Sequence, residues 1–348
     1  MLKDALKVIL GAGKVAGTNI AKKPTAAKRI VPKRPRNYGY GKAMSSIWKS
    51  QNEPRAEYSQ LYEGHVPLGP VEKIWFTGKA CALAIRDPHL RGDMVAAVAE
   101  TTGEVHLRRL REIMLSDSVG LRILTEKPVL NLDNIKMDSL LHLEPDTVGG
   151  AFALSMKVHG LELGTRTPVR YVDDTELAYV MQRYREIHDV LHTIVGCPFS
   201  VSGELALKWF ELMQTKLPMT ALAAFAGQFA RAEQDIGELK ENDIDKLHHN
   251  HSDYIAWAIT AGKESNNFMN VYLEECWAMK LVDFRRKHRI PKCPKHLVSL
   301  DMIWNGNPQP LIQHYQAAVD ALKDDPDKGK RASVFLNAIE YMKSQQDK

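Results

Sequence analysis

His188, Asp189 and His192, followed twelve residues later by Glu204, place two imidazoles and two carboxylates within seventeen residues. On an α-helix, residues four apart lie on one face, so His188 and His192 can present their rings to a single ion. Asp189 follows about 100° round the same helix, close to His192. Gly196 and Pro198 then interrupt the chain, because neither is well tolerated inside a helix. A second helix is expected to start near Ser200 or Ser202, which puts Glu204 in its first turn. A helix, a short reversal and a second helix would return the fourth donor to the first three. Two imidazoles with two carboxylates suit Zn²⁺ or another borderline divalent metal. The expected metal ligands are therefore His188, Asp189, His192 and Glu204.

A lone histidine beside an apolar stripe is more often a hydrogen-bonded core residue than a ligand. The four residues at this spacing are what argue for a metal. Two other metal chemistries fit less well. A zinc peptidase wants His-Glu-x-x-His with the glutamate as general base, and Asp189 is one methylene shorter. A di-iron carboxylate site needs paired Glu-x-x-His motifs on facing helices, which this chain does not supply.

The elements that must hold these side chains are legible in the apolar spacing. Leu177, Val180, Tyr184, Ile187, Leu191 and Ile194 recur every three or four residues, so the histidines sit on an amphipathic helix and flank its inward stripe. Asp173 and Asp174 are its N-cap candidates, with Glu176 in the acid-favoured first turn. Upstream, helices are expected at about 71–85, 90–100 and 104–116, with short helices and turns from 121 to 160. Downstream, 204–215 and the apolar run 219–232 read as helices. The polar stretch 232–253, with His248, His249 and His251, reads as a solvated loop. After a proline-rich linker from Cys293, two more helices are expected near 311–322 and 330–343. No run of alternating β-branched residues bounded by hairpin signals occurs, which predicts an all-α body.

Composition bounds the rest. The chain has 348 residues, 44% apolar and 26% charged, with a net charge of +5, which fits one large globular domain with extensions. Residues 1–50 alone carry +11, leaving −6 for the remainder. A cationic opening with Leu2, Leu6, Ile9 and Leu10 on one face has the character of a mitochondrial targeting segment. The positive charge lies in this arm while the body is acidic, which argues against nucleic-acid binding. The four cysteines form no Cys-x-x-Cys pair, which fits a reducing compartment. No apolar stretch is long enough for a membrane-spanning helix. The predicted organisation is a basic arm over 1–56, an all-helical domain over 57–292 and a helical docking extension over 293–348.

Several blocks of this sequence resemble one family. They are Leu61-Tyr62-Glu63-Gly64-His65-Val66-Pro67, the segment from Arg86 to Ala96, Glu100-Thr101-Thr102-Gly103 and Arg170-Tyr171-Val172-Asp173-Asp174. The resemblance is strongest from Glu176 through His188-Asp189-Val190-Leu191-His192 to Gly203-Glu204 and Lys208-Trp209-Phe210-Glu211. Over roughly residues 57–292 the chain is similar to the fourth protein of the COQ series, the mitochondrial coenzyme Q (ubiquinone) biosynthesis family, with that family's His-Asp-x-x-His-x11-Glu motif intact. The resemblance implies an all-helical, metal-binding protein, usually with zinc, on the matrix face of the mitochondrial inner membrane. It implies a peripheral membrane protein that holds a polyprenylated quinone precursor or lipid and helps organise the coenzyme Q biosynthetic proteins. It also implies removal of the C1 carboxyl from the ring, a lyase-type step, coupled to hydroxylation there, with Asp189 or Glu204, where not fully engaged with the ion, as the group that moves a proton. The apolar stretch 217–232, with Trp75, Phe76 and the helix around Val95, would line an isoprenoid groove or simply pack as core. The basic arm, the polar insertion near 232–255 and the tail depart from the family pattern. They suit an alternative in which a relative serves as an accessory subunit of respiratory complex I.

Overall fold

The computed structural model of the chain describes residues 60–86, 92–131, 134–162, 168–225, 241–322 and 328–346. The basic arm therefore lies outside the described residues, as do 226–232 of the second apolar run. Helices follow in the order α1 (Pro70–Arg86), α2 (Gly92–Thr102), α3 (Glu104–Leu115), α4 (Ser118–Glu126), α5 (Met137–Leu141), α6 (Val148–His159), α7 (Thr175–Val195) and α8 (Val201–Thr215). A helical stretch over 218–225 comes next. Then follow α9 (Glu241–Glu264), α10 (Leu281–Lys287), α11 (Gln309–Ala321) and α12 (Lys328–Gln346), with 3₁₀ turns between α9 and α11. The described residues contain one isolated β-bridge, Thr147 with Lys280, and no strand. The protein is all-α, as the periodicity predicts.

The helix carrying the two histidines is the centre of the molecule. Asp174 caps α7, its carboxylate accepting the amides of Glu176 and Leu177 at 2.9 Å each, which satisfies donors that have no partner inside the helix. All six residues of the predicted stripe are buried. The burial extends well beyond a stripe, because α3, α6 and α8 pack around this helix. Its polar side chains must therefore find partners inside. Arg183 is fully buried and forks onto both oxygens of Glu274. Arg185 donates to Glu100 at 2.9 Å. The other Glu100 oxygen accepts the amides of Arg170 and Tyr171 at 2.7 and 2.8 Å. These contacts tie the segment that leads into α7 onto α2.

The opening segment is fastened to the same approach. Tyr62 donates to the Val172 carbonyl at 2.9 Å. The amide of Leu61 donates to Nδ1 of His65, so Nε2 carries the ring proton and donates to Asp173 at 3.1 Å. Asp173 is thus engaged with His65, and Asp174 alone caps the helix.

One correction concerns the later regions. His248, His249 and His251 lie within α9, not in a loop. The run 241–251 is rich in charge and reads as solvated, yet it continues the apolar-periodic segment Tyr254–Ala261, whose Tyr254, Trp257, Ala258 and Ala261 are buried as α9 packs on α8. The tail packs on the chain's own body: α12 lies along α6, and Val158 joins Leu311, Ile312, Tyr315, Phe335, Ile339 and Met342 in a small second core. Of the candidate groove, Leu217, Met219, Ala221 and Ala224 are main-core residues and Phe76 packs on Tyr171, whereas Trp75 is 53% exposed.

Candidate metal centre

The site is built on the elbow between α7 and α8. Helix α7 ends at Gly196, which adopts φ +91°, a left-handed conformation that costs glycine little. The chain turns through Cys197, Pro198 and Phe199 to Ser200, whose hydroxyl caps α8 by accepting the Gly203 amide. The turn is so tight that a Cβ on Gly203 would lie 2.0 Å from the Pro198 carbonyl oxygen. Glu204 therefore emerges in the first turn of α8, facing the last turns of α7.

Ligand atoms of His188, His192 and Glu204 lie within 4.8 Å of one another. Nε2 of His192 is 3.0 Å from one Glu204 oxygen, and Nε2 of His188 is 3.5 Å from the other. Both imidazoles are buried, while the Glu204 side chain is 42% exposed, so the cluster opens to solvent on the carboxylate side. Asp189, partly buried on α7, is not brought into this cluster.

The far side of each ring decides what the near side can do. Nδ1 of His188 is 2.6 Å from Glu211, a buried carboxylate. Nδ1 of His192 is 3.0 Å from the Cys197 carbonyl. Carboxylate and carbonyl oxygens accept only, so each Nδ1 carries the proton and donates. In a neutral ring Nε2 then holds a lone pair, and both lone pairs point at Glu204. Three acceptors converge. That conflict is resolved either by a second proton on the rings or by one cation shared among the three. Histidine metal ligands are commonly oriented through their other nitrogen in this way, and two imidazoles with a carboxylate match the donors of open zinc sites.

Glu211 anchors a wider network. It also accepts from Lys208 at 2.7 Å and from the Tyr184 hydroxyl at 3.0 Å, and Lys208 stands 3.2 Å from Nδ1 of His188 as a second donor to the shared carboxylate. Burial alone would raise the Glu211 pKa, but Lys208 and His188 hold it far below the usual carboxylate range. With the rings protonated on the Glu204 side, Glu204 behaves similarly: desolvation pushes its carboxyl up, and His192 and His188 outweigh that and hold it well below the usual carboxylate range. Glu211 had a signal in the sequence. It lies seven residues after Glu204, two helical turns on and on the same face. Beside the site His159 is fully buried; Nδ1 donates to the Ser155 carbonyl at 2.7 Å, and Nε2 accepts from Tyr315 at 2.8 Å. Phe199 lies between the rings of His159 and His192, with centroids 4.8 and 4.5 Å away.

Fold and site together define an all-α protein with a two-histidine, one-carboxylate centre on a helix elbow. The sequence model of the family described as "Coenzyme Q (ubiquinone) biosynthesis protein Coq4" matches residues 62–294. The mitochondrial ubiquinone biosynthesis protein COQ4 homolog of Mus musculus is 38% identical over 240 residues, covering 69% of this chain and 86% of the mouse protein. The mitochondrial COQ4 protein of Laccaria bicolor is 38% identical over 229 residues, covering 66% and 73% of the two chains. A crystal structure of a candidate ubiquinone biosynthesis protein from Nostoc punctiforme superposes with a TM-score of 0.48 at 16% identity, over 64% of this chain and 98% of that one. This chain belongs to the Coq4 family.

Proposed function

We propose that the protein acts in coenzyme Q biosynthesis in mitochondria, holding a divalent metal at the α7–α8 elbow and working on the ring of a polyprenylated precursor. Family membership supports the pathway, and mitochondrial relatives support the compartment. No described helix is long and apolar enough to cross a membrane, which is compatible with peripheral residence on the matrix face of the inner membrane. In this reading residues 57–292 carry the chemistry, residues 1–56 serve targeting and residues 293–348 form an extension.

The observation that carries the metal reading is the meeting of two Nε2 lone pairs with the Glu204 carboxylate. The residues fit Zn²⁺ or a similar ion: His188, His192 and Glu204 would hold it, with Asp189 one residue along the helix from His188 as a further carboxylate. When bound, such an ion supplies Lewis-acid stabilisation to an oxygen of the ring or its C1 carboxylate. Glu211 and the Cys197 carbonyl keep both imidazoles in the liganding tautomer. Glu204, on the open side of the cluster, is the group placed to deliver a proton to C1 as its carboxyl leaves as CO₂; the coupled hydroxylation would take its oxygen and oxidising equivalents from dioxygen. Asp189 is the second candidate for that proton transfer.

Residence in respiratory complex I is the other expectation. The basic arm and the tail are what such a subunit would dock with, and the tail places most of its apolar side chains in the chain's own second core. The biosynthetic reading is the one the geometry supports best. Its test is replacement of the cellular protein by Glu204→Ala, with coenzyme Q and protein-bound metal both quantified. Loss of metal with loss of coenzyme Q is expected. Normal coenzyme Q in cells whose protein has lost its metal would exclude a metal-dependent role.

A further inference from the structure

The family match ends at residue 294, yet the chain beyond it meets the metal elbow at several successive points. The Leu300 amide donates to the Gly196 carbonyl at 3.0 Å. Asp301 accepts from both terminal nitrogens of Arg285, one at 2.8 Å. Arg285 in turn donates Nε to the Ile194 carbonyl at 2.7 Å and Nη2 to the Thr193 carbonyl at 3.2 Å. Those carbonyls end α7 and have no partner within the helix, so Asp301 fixes the cation that caps the histidine helix. His314 reaches the other side of the elbow: its Nε2 is 2.7 Å from the Ser200 hydroxyl and 3.4 Å from that of Ser202. Tyr315, fully buried in the second core, donates to His159, whose ring packs edge-on against Phe199.

The chemistry of Ser200 shows what His314 contributes. A hydroxyl has one proton and two lone pairs. Capping α8 uses a lone pair for the Gly203 amide. When Ser200 directs its proton to Nε2 of His314, that lone pair stays turned toward the helix, and the first turn that carries Glu204 stays wound. Tyr315 reaches the middle of the same elbow through His159, whose ring packs against Phe199, itself packed on His192. Ser200 and Tyr315 are shielded from solvent, so water does not substitute readily for either contact.

We propose that residues 299–315 form an intramolecular brace that sets the spacing between His192 and Glu204, with His314 and Tyr315 as positioning residues for the cation site. This rests on the metal reading above for its consequence, and on the elbow contacts alone for its mechanism. The experiment uses the full-length chain and the variants His314→Ala, Tyr315→Phe and His314→Gln, the last retaining an acceptor at similar reach. Co²⁺ affinity by competition and the Co²⁺ absorption bands report the site. Amide hydrogen exchange of residues 196–204 in the metal-free protein reports the elbow, and the far-ultraviolet spectrum checks the fold. His314→Ala and Tyr315→Phe should weaken Co²⁺ binding about tenfold, as loss of an outer contact does. They should also alter the absorption bands and speed exchange at Gly203 and Glu204, and His314→Gln should restore most of each. Unchanged affinity and unchanged elbow exchange in both variants would overturn the brace. If the unmodified chain binds no Co²⁺, the metal reading falls, and elbow exchange alone then decides the brace: faster exchange in the variants supports it and unchanged exchange overturns it.

Discussion

Nδ1 of His188 and Oε1 of Glu211 stand 2.6 Å apart, both side chains buried, one two turns from the end of α7 and the other one turn from the end of α8. The contact fixes the ring's tautomer and turns its lone pair toward Glu204. Glu211→Gln keeps the shape but lets the amide present either a donor or an acceptor. Zn²⁺ affinity should fall by about 10–100-fold, with Lys208 left beside His188 without its anionic partner. Competition with a chelating dye would measure it, and an unchanged affinity would show that Glu211 does not orient the ligand.

The buried Arg185–Glu100 pair secures the approach to α7. Burial raises the Glu100 pKa, against the amides of Arg170 and Tyr171 and the charge of Arg185. Glu100→Ala would take the carboxylate from a buried guanidinium and the acceptor from two amides at once, at a cost of about 3–5 kcal/mol. Denaturant unfolding of the variant against the parent protein tests this; a loss below about 1 kcal/mol, the range of exposed pairs, would mean that the pair is solvated in solution.

Much of this was readable beforehand, and the reasons differ by residue. Helices α7 and α8 follow from an apolar stripe, an aspartate cap, Gly196 with Pro198, and a serine cap, all of them local signals. The meeting of His188, His192 and Glu204 follows from helix spacing plus one short elbow. Asp189 shares the spacing but not the cluster, because a residue 100° round the helix faces a different neighbour, and periodicity does not say which. Glu211 was present in the spacing as a same-face partner of Glu204. His159, His314 and Tyr315 had no such signal, since their contacts join segments more than a hundred residues apart. The helix through His248, His249 and His251 was hidden because its polar residues carry no apolar stripe of their own.

Gly203 sets how closely the two site helices approach. In Gly203→Ala the new Cβ would meet the Pro198 carbonyl at 2.0 Å, and backbone must move to relieve it. Such overpacking costs about 1–3 kcal/mol, and the shift should also move Glu204 away from the imidazoles. Thermal unfolding with and without Zn²⁺ separates the two effects: the stabilisation added by the metal should shrink along with the metal-free stability. An alanine variant with unaltered metal response would show that the elbow is not the determinant of site geometry.

His159 gives the protein a definite pH dependence. Burial lowers its pKa from 6.5 to about 4, with the Ser155 carbonyl pulling the other way and His192 adding to the depression. The unfolded chain therefore binds this proton more readily than the folded one, and stability rises with pH across that interval. The contribution is complete above about pH 6.5 and drains away as pH falls toward 4, by about 3 kcal/mol in all. Urea unfolding of the parent and of His159→Phe between pH 7 and pH 4.5 should show a smaller acid loss in the variant. Equal losses would mean that His159 is hydrated or already protonated in the fold.

The central claim is that His188, His192 and Glu204 hold one divalent cation between them. Metal content of the purified full-length protein after Zn²⁺ loading and gel filtration tests it most directly, beside His192→Ala and Glu204→Ala prepared identically. One bound equivalent in the parent, lost in both variants while the helical spectrum is retained, is the predicted result. A parent protein that keeps no stoichiometric metal, or variants that keep all of it, would contradict the account and leave the cluster as a protonated histidine pair bridged by Glu204.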